Sequence, residues 1–169
     1  PMVSDNAPEY VKNVLGKIMK REGDSLPVSA FTCDGTFPTA TTQYEKRNIA
    51  LDIPIWQKDV CIQCGKCSLV CPHAAIRIKA FDPANLSKAP ESFQYADCKG
   101  KDFPEGWKFV VQIAPEDCTG CGCCVETCPA KDKTEPKNKA INMKSHLENK
   151  ERERVNYDFF LSLPEVDRS

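Results

Sequence analysis

Cysteine supplies thiolates that bind soft metals, and this chain of 169 residues carries eleven cysteines, eight of them in two tight runs. The first reads CIQCGKCSLVCP and holds Cys61, Cys64, Cys67 and Cys71, followed by Pro72. The second reads CTGCGCCVETCP and holds Cys118, Cys121, Cys124 and Cys128, followed by Pro129. Three thiolates at three-residue steps let a loop curl round one metal centre, while a fourth, four positions on, is carried away by the turning chain. A closed zinc tetrahedron usually takes two C-x2-C pairs separated by a dozen or more residues. Here four ligands crowd into eleven residues, twice, and iron with sulfide fits better. Disulfides are the other use of many cysteines, but nothing in the sequence signals export.

The spacing C-x2-C-x2-C-x3-C-P matches bacterial two-cluster ferredoxins, in which the fourth cysteine of each run ligates the other cluster. Cys61, Cys64, Cys67 and Cys128 are therefore assigned to one 4Fe-4S cube, and Cys118, Cys121, Cys124 and Cys71 to its neighbour. Gly65, Gly120 and Gly122 lie between ligands, where backbone passes close to sulfides and positive φ is useful. Pro72 and Pro129 fix φ just past the crossing cysteine and remove an amide donor there. Eight thiolates and two oxidised cubes shift the formal charge of -1 to about -5, making the loaded chain acidic. Cys33, Cys98 and Cys123 read as free thiols. Cys123, lodged between Cys121 and Cys124, is expected to point away from the cube while able to replace a damaged ligand. His73, next to Pro72, is expected to cap or pack.

These loops need strands to hold them. Superposing Cys61 on Cys118, 57 positions later, aligns IWQKDVC with the stretch before the second run and marks an internal repeat. Each Cys-Pro leads to a short apolar strand, with Ala75, Ile76 and Ile78 in the first half and Ala140, Ile141 and Met143 in the second. The predicted fold class is α+β: a pseudo-twofold, duplicated two-4Fe-4S ferredoxin fold with an insertion and extended arms at both ends. The cluster domain is placed at residues 52–145, with an insertion at 81–108 carrying Pro83, Pro90, Pro104 and Gly100. So long a stretch without periodicity is usually functional or a docking surface. AKDKTEPKNK, in the second half, reads as a charged surface loop.

Residues 1–51 form an N-terminal helix and an extended interdomain arm. Val11, Val14, Leu15, Ile18 and Met19 make one apolar face, with Pro8 placed to start the helix and Gly23 to stop it. Nothing in a ferredoxin core is an obvious partner for that stripe. Residues 146–169 read as a C-terminal linker arm, a charged helix candidate ending with Phe159, Phe160, Leu161 and Leu163 exposed. Neither end looks like a natural terminus. The near-neutral charge gives no basic field for nucleic acid. With no apolar run near the ~20 residues that span a membrane and no signal peptide, the expected setting is cytoplasmic.

GTFPTATTQYEKRNIALDIPIW, the two cysteine runs and NYDFFLSLPE, in this order, resemble the ferredoxin domain of the pyruvate:ferredoxin (flavodoxin) oxidoreductases, most closely the cyanobacterial, nitrogen-fixation-associated form. The cysteine runs are shared by many redox proteins; the Glu45-Lys46-Arg47 arm and the Leu163-Pro164-Glu165 tail single out this family. The resemblance implies a piece of a homodimer whose other domains hold thiamine diphosphate and a third, proximal 4Fe-4S cluster, and pass the acyl group to coenzyme A. The eight motif cysteines would then hold the medial and distal clusters, relaying electrons to ferredoxin or flavodoxin. No thiamine-type motif is visible here, so the chain alone is expected not to catalyse the carbon chemistry. A free-standing eight-iron ferredoxin and a ferredoxin-like subunit of another redox complex are the alternatives.

Overall fold

In a computed structural model that describes residues 3–166, the chain divides into two compact units, residues 1–47 and 48–169. In the first unit the Pro8 carbonyl accepts the Lys12 N–H at 3.1 Å, opening a helical segment. It runs through a π turn, Val11–Leu15, into helix α1, Gly16–Met19. Ala7, Val11 and Leu15 are buried, and Val3, Met19 and Tyr44 pack against them. The apolar stripe therefore finds cover within its own unit. Val14 is buried as well, but Ile18 is 41% exposed. Arg21, not Gly23, stops the helix. Its φ is +63°, and the Glu22 and Arg21 amides donate to the Lys17 and Ile18 carbonyls, both at 2.9 Å. That pair of bonds closes the C-terminal turn and offsets the cost of a side chain at positive φ. Gly23 instead begins a short 3-10 turn, Gly23–Ser25.

The second unit is built on two antiparallel sheets. Strand β1, Asp52–Trp56, pairs with a strand at Ile141–Ser145; β2, Ile76–Phe81, pairs with one at Lys108–Ile113, whose other side takes the short strand Ala96–Asp97. In chain order these last three are β3 (Ala96–Asp97), β4 (Lys108–Ile113) and β5 (Ile141–Ser145). The Pro54 of β1 is tolerated because a two-stranded sheet leaves every strand an edge with unpaired positions. β4 is central and buried almost throughout, so its one interior polar side chain needs a partner: Gln112 donates to Glu153 at 2.8 Å. Helices α2, Lys66–Val70, and α3, Cys123–Thr127, each occupy the middle of a cysteine run.

The tail is not a free arm. Residues His146–Ser162 form helix α4, and Tyr157, Phe160 and Leu163 join the core beside Ile53, Phe81 and Val110. Of the four apolar residues expected to be exposed, Phe160 and Leu163 are buried, Phe159 is partly buried and Leu161 is 50% exposed. The inward face of α4 mixes aromatics with Glu153 and Asn156, which is why no apolar stripe announced it. Both polar groups are satisfied: Glu153 accepts from Gln112 and from Arg152 Nε at 2.9 Å, and Asn156 accepts the Ser92 hydroxyl at 2.7 Å. The segment between β2 and β4 is also less irregular than the sequence suggests. It opens with a 3-10 turn, Pro83–Lys88, capped by the Asp82 carboxylate, and buries Phe93 edge-on against Phe159 at 4.7 Å. β3 then pairs with β4.

Because Phe160 is 1% exposed and Leu161 half exposed, the two neighbours separate core packing from surface chemistry. Phe160→Ala is expected to lower unfolding stability by about 3–5 kcal/mol, and Leu161→Ala by less than about 1 kcal/mol. Denaturant melts of the iron-loaded chain check this; equal losses would mean that α4 is not seated on the core.

Candidate metal centres

The two cysteine runs follow the same backbone path. In the first, the Gln63 amide donates to Cys61 Sγ at 3.3 Å; in the second, the Gly120 amide donates to Cys118 Sγ at 3.4 Å. Gly65 and Gly122, at φ of +71° and +76°, turn the chain into α2 and α3. Each helix stops at its fourth cysteine, Cys71 and Cys128, which revert to extended backbone before the proline. A side chain at Gly120 would be strained. Its φ is +72°, and an added Cβ would lie 3.1 Å from the Asp52 carbonyl oxygen of β1. Gln63 holds the equivalent left-handed conformation, φ +59°, with its amide gripped by the insertion. Its Nε2 donates to the Asp97 carbonyl at 2.7 Å and its Oε1 accepts the Lys99 amide at 2.9 Å. Lys99 Nζ adds a bond to the Cys61 carbonyl at 2.7 Å.

The turns at Cys71 and Cys128 send each fourth cysteine to the other loop. Cys61, Cys64, Cys67 and Cys128 line one cavity, together with Trp56, Phe109, Val111 and Ile141. Cys71, Cys118, Cys121 and Cys124 line another, together with Pro54, Ala75, Ile76 and Ile113. The sheets set this exchange. Trp56 faces Ile141 across β1 and β5, and Ile113 faces Ile76 across β4 and β2, so each cavity is walled by strands from both halves of the chain.

The cavities suit iron-sulfur clusters in donor type and surroundings. Every candidate ligand is a thiol and most of the remaining wall is apolar. Burial pushes the Cys67 thiol up to about 11 and the Cys124 thiol up to about 12, and raises Cys118 as well. Such thiols stay protonated at neutral pH unless a metal centre displaces the proton. Among the described residues no three His, Cys, Asp or Glu side chains converge closely enough to hold a single ion. Four of the motif cysteines line each cavity. Trp56, whose indole N–H is buried with no partner, is among the residues that line the first cavity.

Cys123 is exposed, yet it also joins the lining of the second cavity, at the position where Lys66 stands in the first run. The Cys123 backbone amide holds Cys121 below its ordinary value. As the first residue of α3, after the left-handed Gly122, Cys123 is turned back toward the loop. His73 is exposed and also lines this cavity. Cys33 is exposed in the first unit, and Cys98 is partly buried in the insertion, where desolvation raises its thiol. Sequence reading missed the walls, above all Trp56, and the Gln63 clamp. The alignment of Trp56 with Ile113 was the available signal for the first, and a non-glycine residue opposite Gly120 for the second.

The 4Fe-4S dicluster domain family matches residues 60–131, and a family designated EKR, described as a domain of unknown function, matches residues 1–50. The chain thus carries a 4Fe-4S dicluster domain, with the Glu45-Lys46-Arg47 stretch in the flanking match. Across 168 residues it is 60% identical to a putative pyruvate-flavodoxin oxidoreductase of Synechocystis, an alignment covering 99% of this chain and 14% of that protein. The pyruvate-flavodoxin oxidoreductase of Nostoc is 56% identical over 98% of the chain, and a probable pyruvate-flavodoxin oxidoreductase of Escherichia coli is 55% identical over all of it. In each of these the chain spans 14% of the relative's length. Over nearly its whole length the chain is thus similar to one segment of these longer pyruvate-flavodoxin oxidoreductases.

The exchange of fourth cysteines makes a distinctive prediction for double substitutions. Cys71→Ser and Cys121→Ser should each damage the same cube, so their combination leaves one intact cluster of about four irons. Cys71→Ser with Cys64→Ser should leave none intact. Iron analysis with EPR of the reduced protein reads both, and the reverse pattern would place Cys71 with Cys61, Cys64 and Cys67.

Proposed function

We propose that this chain is the electron relay of an oxidoreductase that decarboxylates pyruvate, and that it delivers electrons to flavodoxin or ferredoxin. The observation that carries this reading is the grouping of eight thiols from two runs into two mixed cavities. Cys61, Cys64, Cys67 and Cys128 would hold one 4Fe-4S cube, and Cys118, Cys121, Cys124 and Cys71 the other. Each cube, when bound, supplies reversible one-electron transfer. The chain's own residues position the thiolates, donate amide hydrogen bonds to sulfur from Gln63 and Gly120, and keep water from the buried side with β1, β4 and β5. On this reading the fold is a duplicated ferredoxin. The matched facing pairs, Trp56 with Ile141 and Ile113 with Ile76, support that duplication.

The parent enzyme would add thiamine diphosphate, a third cluster and coenzyme A chemistry in other domains of a homodimer, leaving the medial and distal positions to this segment. Residues 1–51 would serve as an arm toward those domains and 52–145 as the cluster domain. α4, within 146–169, closes over the core of the latter. The cyanobacterial, nitrogen-fixation-associated form rests on the sequence resemblance, with the Synechocystis and Nostoc relatives in support. A cytoplasmic setting accords with partners such as flavodoxin. Among the described residues no helix is long and apolar enough to cross a membrane.

Anaerobic reconstitution should give about eight irons and eight labile sulfides per chain. The dithionite-reduced product should then reduce flavodoxin or ferredoxin, yet release no carbon dioxide from pyruvate when thiamine diphosphate and coenzyme A are supplied. An iron content near twelve, or zinc in its place, contradicts the two-cube reading. Reduction driven by pyruvate in the pure chain contradicts the relay.

A further inference from the structure

Trp56 is 7% exposed, and its indole Nε1 is wholly buried without a hydrogen-bond partner. Buried indole N–H groups normally find an acceptor, because an unmet donor carries the full cost of its lost hydration. The other such atoms among the described residues are the Tyr10 hydroxyl and His146 Nε2, and neither residue lines a thiol cavity. Trp56 borders three spaces. One is an open groove with Lys58, Glu148 and Arg152, but a donor facing it would be exposed, and this one is not. Another lies under α4 among Gln94, Gln112, Glu153 and Asn156. None of their oxygens bonds the indole, and the Glu153 carboxylate is already shared by Gln112 and Arg152. The third is the cavity of Cys61, Cys64, Cys67 and Cys128, where the acceptors on offer are sulfurs.

The second cavity lacks this donor. Its counterpart of Trp56 is Ile113, while Val111 and Ile141 of the first cavity answer to Pro54 and Ile76 of the second. The amide bonds to sulfur also match, from Gln63 and from Gly120. His73, Thr119, Cys123 and Met143 line only the second cavity and Phe109 only the first, but none of these is an indole buried without a partner.

Resting on the reading of these cavities as cluster sites, we propose that the Trp56 indole N–H hydrogen-bonds a sulfur of the cube held by Cys61, Cys64, Cys67 and Cys128, and so raises that cube's reduction potential. An added electron places negative charge on the sulfurs, and a donor aimed at them stabilises the reduced state more than the oxidised one. Trp56 is thus a tuning residue that sets the two cubes apart.

The test uses the reconstituted chain with Trp56→Phe and, as an isostere without the N–H, with Trp56 replaced by benzothienylalanine. EPR-monitored potentiometric titration reads both midpoints, and electron-nuclear double resonance reads exchangeable protons near each reduced cluster. Titrations in Cys64→Ser and Cys121→Ser backgrounds assign each signal to its cube. For the isostere, the reduced-to-oxidised ratio of the first cube at fixed potential should fall about tenfold, ~59 mV for a one-electron couple. One exchangeable proton coupling should vanish, and the second cube should not move. Unchanged midpoints and an unchanged proton coupling in the isostere overturn the proposal, as does a shift confined to the second cube. If Trp56→Phe fails to hold iron, the isostere still decides. An unsubstituted chain without eight irons would instead sink the underlying cluster reading.

Discussion

Buried thiols are poor company for one another. Desolvation holds Cys67 and Cys124 protonated, near 11 and 12, while a cluster needs them as thiolates. Irons, when bound, would resolve that conflict by taking the place of the protons, and the binding free energy of the clusters would become folding free energy for the loops that hold them. The backbone is arranged to make the replacement geometrically simple. Each loop curls round three sulfurs, turns at a left-handed glycine into a one-turn helix, and leaves through a cysteine and a proline toward the other loop. Neither cavity is complete without both halves of the chain.

That mutual dependence explains the rest of the second unit. β1 pairs with β5 and β2 with β4, so every sheet joins one half to the other and keeps the crossing cysteines in register. A slip of one residue would turn Trp56 and Ile113 away from the cavities. α4 packs on the strands, satisfying Gln112 with Glu153 and inserting Phe160. The insertion serves one loop only. It grips Gln63 from Asp97 and Lys99, which allows a non-glycine residue to hold a left-handed turn, whereas Gly120 has no such grip and lies too close to β1 for a side chain. Two nearly equivalent sites are thereby made unequal.

Much of this was legible from the residues. The spacing of the eight cysteines announced the two centres, and the apolar pairs after Cys71-Pro72 and Cys128-Pro129 announced β2 and β5. Other features depend on tertiary contacts that spacing does not encode. α4 buries a face containing Glu153 and Asn156 because partners wait in β4 and the insertion, so its sequence looks like a charged arm. Arg21 ends the first helix in the left-handed region although Gly23 is two positions away, because the carbonyls needing closure are those of Lys17 and Ile18. Cys123 follows Gly122 into α3 and joins the cavity lining, a placement fixed by the turn. Trp56 looked like one more apolar strand residue until its ring nitrogen was found buried and unbonded.

The central claim is that each metal centre is closed by a cysteine from the other run, and anomalous scattering at the iron edge from crystals of the reconstituted chain tests it most directly. Two compact iron sites should appear, one bonded to the sulfurs of Cys61, Cys64, Cys67 and Cys128, the other to those of Cys118, Cys121, Cys124 and Cys71. A map in which Cys71 closes the site of Cys61, Cys64 and Cys67, or in which a single site draws on both runs, would contradict it.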